Sequence, residues 1–419
     1  MTASTFTLVF IILLGANFAL KLWLDARQVG FVAAHRGQVP AQFAAKISLA
    51  AHQKAADYTM AKTRVGMLDE AIGVAFALAL TLGSGFAWLY GLATQASAIP
   101  LVRDLILLFG YALLAGLISL PLSVYSTFGV EVRFGFNKMT WKLWLVDLIK
   151  GIVLGVVLGL PLAALILWLM QSAGDKWWLY AWLAWCAFQL LMLVLYPTVI
   201  APLFNKFTPL ADGDTKARIE ALLARCGFQS RGLFVMDGSK RSSHGNAYFT
   251  GFGAAKRIVF FDTLLKSLAP GEVEAVLAHE LGHYKLRHIV KRIAWTFAAS
   301  LLMLWLLSVL MTQPWLYAGL GVALPASEQS NGLALLLFSL VLPLVTFPLS
   351  PLFAAYSRKH EFEADGYAAR QASAGDLARS LVKMYEDNAA TLTPDPLHSA
   401  FYDSHPPAAV RIARLQLAG

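Results

Sequence analysis

Long apolar runs alternate with shorter polar segments through most of the chain. A helix needs about 20 apolar residues to cross the hydrocarbon core of a bilayer. Seven windows reach that length with no charge near their centres: residues 5–24, 71–93, 104–126, 150–171, 177–197, 293–312 and 333–355. The first window has no Lys or Arg before it, so we expect a retained span rather than a cleaved signal. The pattern predicts a mainly α-helical, polytopic bundle of seven membrane spans.

The segment 198–292, between the fifth and sixth windows, has a different pattern. Apolar residues recur at helical spacing in 214–228, as in an amphipathic helix. Three β-rich runs then predict a small sheet with at least one hairpin: GLFVMD (232–237), NAYFTGF (246–252) and RIVFFD (257–262). A second helix is predicted from Pro270 to the basic residues near 292, because proline and acidic residues favour a helix start. We therefore expect a small α+β domain here.

Lys and Arg are concentrated in every second connection between the windows. The positive-inside rule then places the N-terminus outside and both the insert and the C-terminus in the cytosol. The membrane is the bacterial inner membrane or, in a eukaryote, that of the endoplasmic reticulum. The expected organisation is spans one to five in 1–197, a cytosolic catalytic insert in 198–292, spans six and seven in 293–355, and a cytosolic segment in 356–419.

Composition supports the membrane assignment, since 58% of the 419 residues are hydrophobic and only 14% are charged. The formal net charge is +9. Membrane topology and attraction to anionic lipid account for this charge, so we expect the lipid bilayer as a partner and no nucleic acid.

The stretch HELGH places two histidines and a glutamate on the second predicted helix of the insert. His279 and His283 are four residues apart and therefore lie on one helical face. In the H-E-x-x-H arrangement the two imidazoles bind zinc, and the glutamate, here Glu280, takes a proton from the attacking water. The alternative is a surface helix with two solvated histidines.

A catalytic zinc ion has three protein ligands and an open position. The best source of the third ligand is SRKHEFEADGYAAR, residues 357–370, just after the last window. Glu361 and Asp365 share a helical face there, which suits one ligand and one carboxylate that orients a bound imidazole. Spacing alone does not separate Glu361 from Glu363, and a charged segment at the membrane exit is the alternative. His288 is five residues beyond His283 and off its face, so we interpret it as a helix-end residue.

Six motifs in order resemble the type I CAAX prenyl proteases, which are integral-membrane zinc metalloendopeptidases. The motifs are HQKAADYTMAKT, YPTVIAPLFNKFTPL, KRSSHGNAYFTGFG with KRIVFFDTLL, HELGH, SRKHEFEAD and SHPPAAVRIARL. The resemblance covers the chain from about residue 50 to its end. It implies that one Zn²⁺ ion is held by His279, His283 and Glu361, with Glu280 as the base and Asp365 as a supporting carboxylate. It also implies that the spans enclose a chamber.

The resemblance implies roles for three further residues. Asn246 matches an asparagine that positions substrate beside an edge strand; the alternative is a residue that starts a strand and caps a turn. His405 and Arg411 match a histidine and an arginine near the metal, where they would stabilise the oxyanion of the tetrahedral intermediate. Alternatively, His405 belongs to a helix-start turn and Arg411 to a structural ion pair.

The expected function is hydrolysis of peptide bonds, and the resemblance implies removal of the C-terminal tripeptide of prenylated proteins. The family's H-Y-S-H-P reads FYDSHP here, so contacts near Tyr402 and Asp403 are expected to differ. One alternative is a quality-control membrane protease of the HtpX type, although its relatives have fewer spans. A metal-binding transporter is less consistent, because charges collect at the cytosolic ends of the spans. Glu280 argues against an inactive pseudoprotease. The sequence leaves the oligomeric state open.

Overall fold

Helices make up most of this computed structural model, which describes residues 1–230, 232–250, 257–322 and 330–418. The helices are α1 (Ala3–His35), α2 (Leu49–Leu80), α3 (Gly85–Ala96), α4 (Pro100–Tyr125), α5 (Glu131–Arg133), α6 (Trp141–Ser172), α7 (Trp177–Leu195), α8 (Ala201–Phe204), α9 (Asp214–Arg225), α10 (Asp262–Ser267), α11 (Pro270–Lys285), α12 (His288–Leu310), α13 (Pro314–Gly319), α14 (Asn331–Thr346), α15 (Ser350–Gln371), α16 (Ala374–Asp387), α17 (Pro396–Tyr402) and α18 (Ala408–Ala418). The strands are β1 (Phe207–Pro209), β2 (Leu233–Met236), β3 (Ala247–Thr250) and β4 (Arg257–Phe261).

Six helical stretches in the described part of the chain are long and apolar enough to cross a membrane, and there are seven if the bent pair α2 and α3 forms one span. This pair, which bends by 60°, contains the predicted window 71–93. In Trp141–Ser172 only 6% of the most apolar window is buried, so its apolar side chains face outward, as lipid contact requires. The predicted polytopic helical bundle is confirmed.

Several helices continue well beyond their apolar windows. Helix α1 runs to His35 and α2 begins at Leu49, so most of the connection between the first two predicted windows is helical. A bidentate pair joins the two, with Nε and Nη2 of Arg36 lying 2.7 and 2.8 Å from the Asp57 carboxylate oxygens. Helix α14 passes through a short 3₁₀ turn into α15. The last span therefore continues as a rigid helix into the acidic motif that was predicted to supply the third ligand.

The insert contains the predicted small sheet, with strand order β1-β2-β4-β3. Strands β3 and β4 pair antiparallel, with Ala247 opposite Phe260, which confirms the expected hairpin pairing. Residues 251–256, which include the end of the predicted run 246–252, lie outside the described residues. Strand β2 runs parallel to β4, and β1, which the sequence pattern did not predict, pairs antiparallel with β2. Strand β3 lies at one edge of the sheet.

The two predicted helices of the insert are present, but the second is shorter than expected. It begins at Pro270 as predicted and ends at Lys285. Arg287 then adopts a left-handed conformation with a φ of 56°, and α12 starts at His288. The prediction of one helix running to about residue 292 is therefore wrong, because the left-handed conformation at Arg287 interrupts the helix.

The structure contains two large apolar cores. One lies inside the membrane bundle and includes Phe10, Phe86, Leu107, Leu167 and Leu337. The other joins the sheet to α9, α11, α16 and α18, with Ile219, Leu222, Ile258, Phe260 and Leu277 among its most buried side chains. Because side chains along the length of α11 belong to this second core, the position of the helix relative to the sheet is fixed.

Candidate metal centre

Helix α11 carries His279, Glu280 and His283, and its start is well defined. Pro270 is its first residue, and the Glu272 side chain accepts a hydrogen bond of 2.8 Å from the Ala269 amide. Glycine is required at Gly282, next to His283, where a Cβ would lie 3.0 Å from Cα of Ala364 on α15. The two helices can therefore approach closely enough for side chains of α15 to reach the imidazoles of α11.

Three ligand-type side chains converge at this crossing. Nε2 of His279 lies 3.4 Å from Oε2 of Glu361, and Nε2 of His283 lies 3.3 Å from Oε1 of the same carboxylate. The two Nε2 atoms are 3.2 Å apart. His279 and Glu361 are buried, and His283 is partly buried. This arrangement brings together the three residues that the sequence analysis put forward as ligands.

The chemistry of this donor set fits a bound cation. Oε2 of Glu361 is buried and accepts no hydrogen bond from the residues that the structure describes. A buried carboxylate oxygen without a partner is costly, and when both imidazoles carry their proton on Nδ1, both Nε2 lone pairs point into the same space. A divalent ion between the three groups satisfies all of these atoms, and two histidines with one glutamate form a recognised catalytic zinc set.

Asp365 and Arg411 support His279 from the side opposite to Glu361. Oδ1 of Asp365 lies 2.8 Å from Nδ1 of His279. The Arg411 guanidinium donates to both oxygens of Asp365, from Nη2 at 2.6 Å and from Nε at 2.9 Å, and its Nη1 lies 3.8 Å from Oε2 of Glu361. Burial by itself lowers the pKa of His279, but the hydrogen bond with Asp365 and the nearby negative charge of Glu361 outweigh it and raise the pKa to about 9. Two buried carboxylates therefore create a strongly cation-binding environment.

Glu280 lies in a cavity of about 450 Å³ beside His279 and His283. Burial raises the pKa of its carboxyl above the ordinary value, although the neighbouring imidazoles oppose this effect. A carboxylate whose proton affinity is raised in this way is suited to take up and later return a proton.

A second cavity of about 790 Å³ adjoins the first, and Ser404 and His405 line both. Nε2 of His405 lies 3.4 Å from Oε1 of Glu361, and 62% of its side chain is exposed. His405 is therefore an exposed polar side chain at the junction of the two cavities, beside the candidate ligand Glu361. Arg411, by contrast, is buried and forms an ion pair with Asp365.

Asn246 lines the larger cavity and immediately precedes β3. Its side-chain oxygen accepts a hydrogen bond of 2.8 Å from the Ala247 amide, and its backbone carbonyl accepts one of 2.9 Å from Phe261. The residue thus starts the edge strand, and its side chain is exposed toward the cavity.

Sequence analysis missed a second histidine cluster next to the site, formed by His288, His360 and Glu363. The spacing predicts that His288 is a helix-end residue off the face that carries the ligands. In the structure its Nδ1 lies 3.0 Å from Nδ1 of His283, because the left-handed turn at Arg287 directs it back toward α11. No glycine or proline marks that turn, so the sequence carried no clear signal for it.

The fold and this site together define a multi-pass membrane metallopeptidase. A family model described as "CAAX prenyl protease N-terminal, five membrane helices" matches residues 28–206, and the model of peptidase family M48 matches residues 209–418. The chain belongs to peptidase family M48, in its CAAX prenyl protease branch.

Named relatives and a solved structure agree with this assignment. A CAAX prenyl protease 1 homolog of Oryza sativa subsp. japonica is 35% identical over 95% of this chain and 94% of that protein. CAAX prenyl protease 1 of Saccharomyces cerevisiae is 39% identical over 72% of this chain and 69% of that protein. The crystal structure of S. mikatae Ste24p superposes with a TM-score of 0.92 and 32% identity, over 98% of this chain and 99% of that one.

Proposed function

We propose that this metallopeptidase uses one Zn²⁺ ion, held by His279, His283 and Glu361, to hydrolyse peptide bonds of prenylated CAAX proteins. The observation that carries the proposal is the convergence of these three side chains around the unpartnered Oε2 of Glu361, beside Glu280. When bound, the ion supplies a Lewis acid that polarises the scissile carbonyl and lowers the pKa of a water molecule.

Glu280 acts as the general base and then as the general acid. It takes a proton from the attacking water and delivers it to the leaving amine, so that one carboxylate serves both halves of the reaction. Its position in the cavity and its raised pKa support this role, because a more basic carboxylate accepts a proton more readily.

His405 and Arg411 have different roles in this proposal. His405 lies at the junction of the two cavities and donates to the developing oxyanion of the tetrahedral intermediate. Arg411 holds Asp365, which in turn orients the His279 imidazole through Nδ1, and its Nη1 contributes positive charge near Glu361. The sequence analysis gave both residues the same role, whereas their different exposure supports this division.

Substrate binds in extended form along the outer edge of β3. An edge strand offers unpaired backbone groups to which a peptide can add as a further strand. Asn246 at the start of this strand faces the larger cavity and turns its amide to the substrate backbone. Nδ2 of Asn246 can donate to the peptide while its Oδ1 keeps the hydrogen bond from the Ala247 amide.

The names of the relatives support the choice of substrate, and the Lys and Arg residues between the spans support the side of the membrane on which the site lies. Since the relatives are named CAAX prenyl proteases, we assign the prenylated C-terminus of a protein as the substrate and its terminal tripeptide as the product. The distribution of Lys and Arg supports a cytosolic catalytic site and C-terminus with the N-terminus outside, in the endoplasmic reticulum or in a bacterial inner membrane. Cytosolic prenylated chains would then reach the site directly.

The test compares three substrates with the purified full-length protein in detergent. They are a farnesylated CAAX peptide, the same peptide without its prenyl group, and an unfolded membrane protein. We expect chelator-sensitive cleavage of the farnesylated peptide and much slower cleavage of the other two. Equal rates on both peptides would exclude prenyl recognition while leaving the peptidase, and preferential cleavage of the unfolded protein would favour a quality-control role.

A further inference from the structure

His283 has a polar support that is distinct from the one that holds His279. Its Nδ1 lies 3.0 Å from Nδ1 of His288, and Nε2 of His288 lies 2.9 Å from Oε2 of Glu363. Only 4% of His288 is exposed, whereas the Glu363 side chain reaches the surface. The three groups form a continuous chain that runs from a candidate ligand to a carboxylate.

The tautomers along this chain follow from its geometry. If Nε2 of His283 is a metal ligand, the neutral ring carries its proton on Nδ1 and must donate there. Nδ1 of His288 then accepts, so the proton of His288 is on Nε2, where it donates to the Glu363 carboxylate. Every polar atom of both rings is used once, which fixes the orientation of each imidazole.

The same residues do not form a second metal site in this arrangement. His288, His360 and Glu363 each offer a ligand atom, and these atoms lie within 4.8 Å of one another. However, the rings of His288 and His360 are stacked, with centroids 3.9 Å apart and planes inclined by only 8°. A bound ion lies near the plane of each imidazole at about 2.1 Å from nitrogen, which two stacked parallel rings cannot both provide. His360 therefore packs against His288 rather than sharing an ion with it.

We propose that His288 and Glu363 are positioning residues that orient His283 for metal binding, an inference that rests on the proposed zinc-peptidase function. The support comes from two helices, since His288 begins α12 and Glu363 lies on α15. Helix α15 thus supplies three carboxylates with separate tasks: Glu361 as ligand, Asp365 on His279, and Glu363 on His283 through His288. Glu363 points to another side of α15 than Glu361, and His288 bridges the remaining distance.

The experiment measures Zn²⁺ affinity of the full-length protein in detergent by competition with a fluorescent chelator. We expect His288→Phe, which keeps a ring against His360 but loses both hydrogen bonds, to bind Zn²⁺ about 10- to 100-fold more weakly. Glu363→Leu should have a loss of the same order. Glu363→Gln keeps an acceptor oxygen for His288 and should recover most of the affinity. His360→Phe, which keeps the stack and touches neither bond, is the matched control and should bind as the wild type does.

A spectroscopic readout separates orientation from general destabilisation. The visible absorption bands of the Co²⁺-loaded protein should shift in His288→Phe and Glu363→Leu and should return toward the wild-type spectrum in Glu363→Gln. If His288→Phe does not fold, the two Glu363 variants decide the question, because that side chain is partly exposed.

The results separate this inference from the function on which it rests. Wild-type affinity and spectra in both His288→Phe and Glu363→Leu would overturn the positioning role while the zinc site stands. A loss in His360→Phe equal to that in His288→Phe would overturn it too, because packing would then explain both. Failure of the wild-type protein to bind Zn²⁺ would overturn the proposed function itself.

Discussion

Oδ1 of Asp365 lies 2.8 Å from Nδ1 of His279, while Nε2 of the same ring faces Glu361 at 3.4 Å. One imidazole is thus held between two carboxylates of α15 that are a single helical turn apart. The Arg411 guanidinium closes the arrangement by binding both oxygens of Asp365. Because this residue comes from α18, the C-terminal segment is part of the candidate metal centre rather than an appendage.

Asp365→Asn should weaken Zn²⁺ binding by about 10- to 100-fold, the usual effect of losing the partner of a ligating histidine. The amide can still accept one hydrogen bond, but it carries no charge and leaves buried Arg411 with Glu361, at 3.8 Å, as its remaining charged partner. Chelator competition measures the affinity, and Asp387→Asn at the exposed end of α16 is the control. Unchanged affinity in Asp365→Asn would contradict the supporting role.

Glu280→Gln should abolish peptide hydrolysis and leave the zinc content and the thermal unfolding temperature unchanged. The substitution removes the base but keeps the size of the side chain, and loss of a general base costs about 10²- to 10⁴-fold in rate. Peptide cleavage and metal analysis of the same preparation check both parts. Glu274→Gln, on the same helix beside Arg225, is the matched control. Chelator-sensitive cleavage at the wild-type rate by Glu280→Gln would assign the base elsewhere.

Zn²⁺ binding to the metal-free protein should release a proton from His279 at neutral pH. The hydrogen bond with Asp365 and the nearby Glu361 carboxylate raise the pKa of this imidazole to about 9, so the ring is protonated below that pH and must lose its proton to bind a metal. Affinity should therefore fall as the pH is lowered. Titration calorimetry in two buffers with different ionisation enthalpies counts the protons. In Asp365→Asn the release should shift to lower pH, and an equal number of protons at all pH values would refute the assignment.

Arg287→Gly should be tolerated, whereas Arg287→Val should destabilise the protein. The left-handed conformation at this position, with a φ of 56°, costs a non-glycine residue about 1–2 kcal/mol and is worse for a β-branched side chain. Thermal unfolding in detergent measures the difference. Arg287→Val should also reduce Zn²⁺ affinity, since it disturbs the turn that directs His288 to His283. Equal stability of both variants would show that the turn is not conformationally demanding.

Asp395→Ala should loosen the attachment of the C-terminal segment to the first span. Asp395 is buried, accepts two hydrogen bonds from Arg27 of α1, and caps α17 through the amides of Leu397 and His398. Losing the cap alone costs about 1 kcal/mol. We expect a lower unfolding temperature and faster proteolysis after α16, with Asp387→Ala as the control. Wild-type proteolysis would show that the contact is dispensable.

The amino-acid sequence determined the elements whose signal is local. Apolar windows predicted the spans because a bilayer requires about 20 apolar residues in a helix, and these windows match the candidate spans of the structure. The four-residue spacing of His279 and His283 predicted that they share a face, because a helix repeats every 3.6 residues. Pro270 correctly predicted the start of α11.

Tertiary structure decided what depends on residues far apart in the chain or on an unmarked backbone turn. Spacing left Glu361 and Glu363 unresolved, and the contact of α15 with Gly282 of α11 places Glu361 between the two imidazoles. Glu363 instead reaches His288, which the left-handed turn at Arg287 brings back to His283. Helical periodicity predicts which side chains share a face of one helix. Periodicity carries no information on how two helices cross, or on where a helix is interrupted by a turn without glycine or proline. Contacts between distant segments contribute to both.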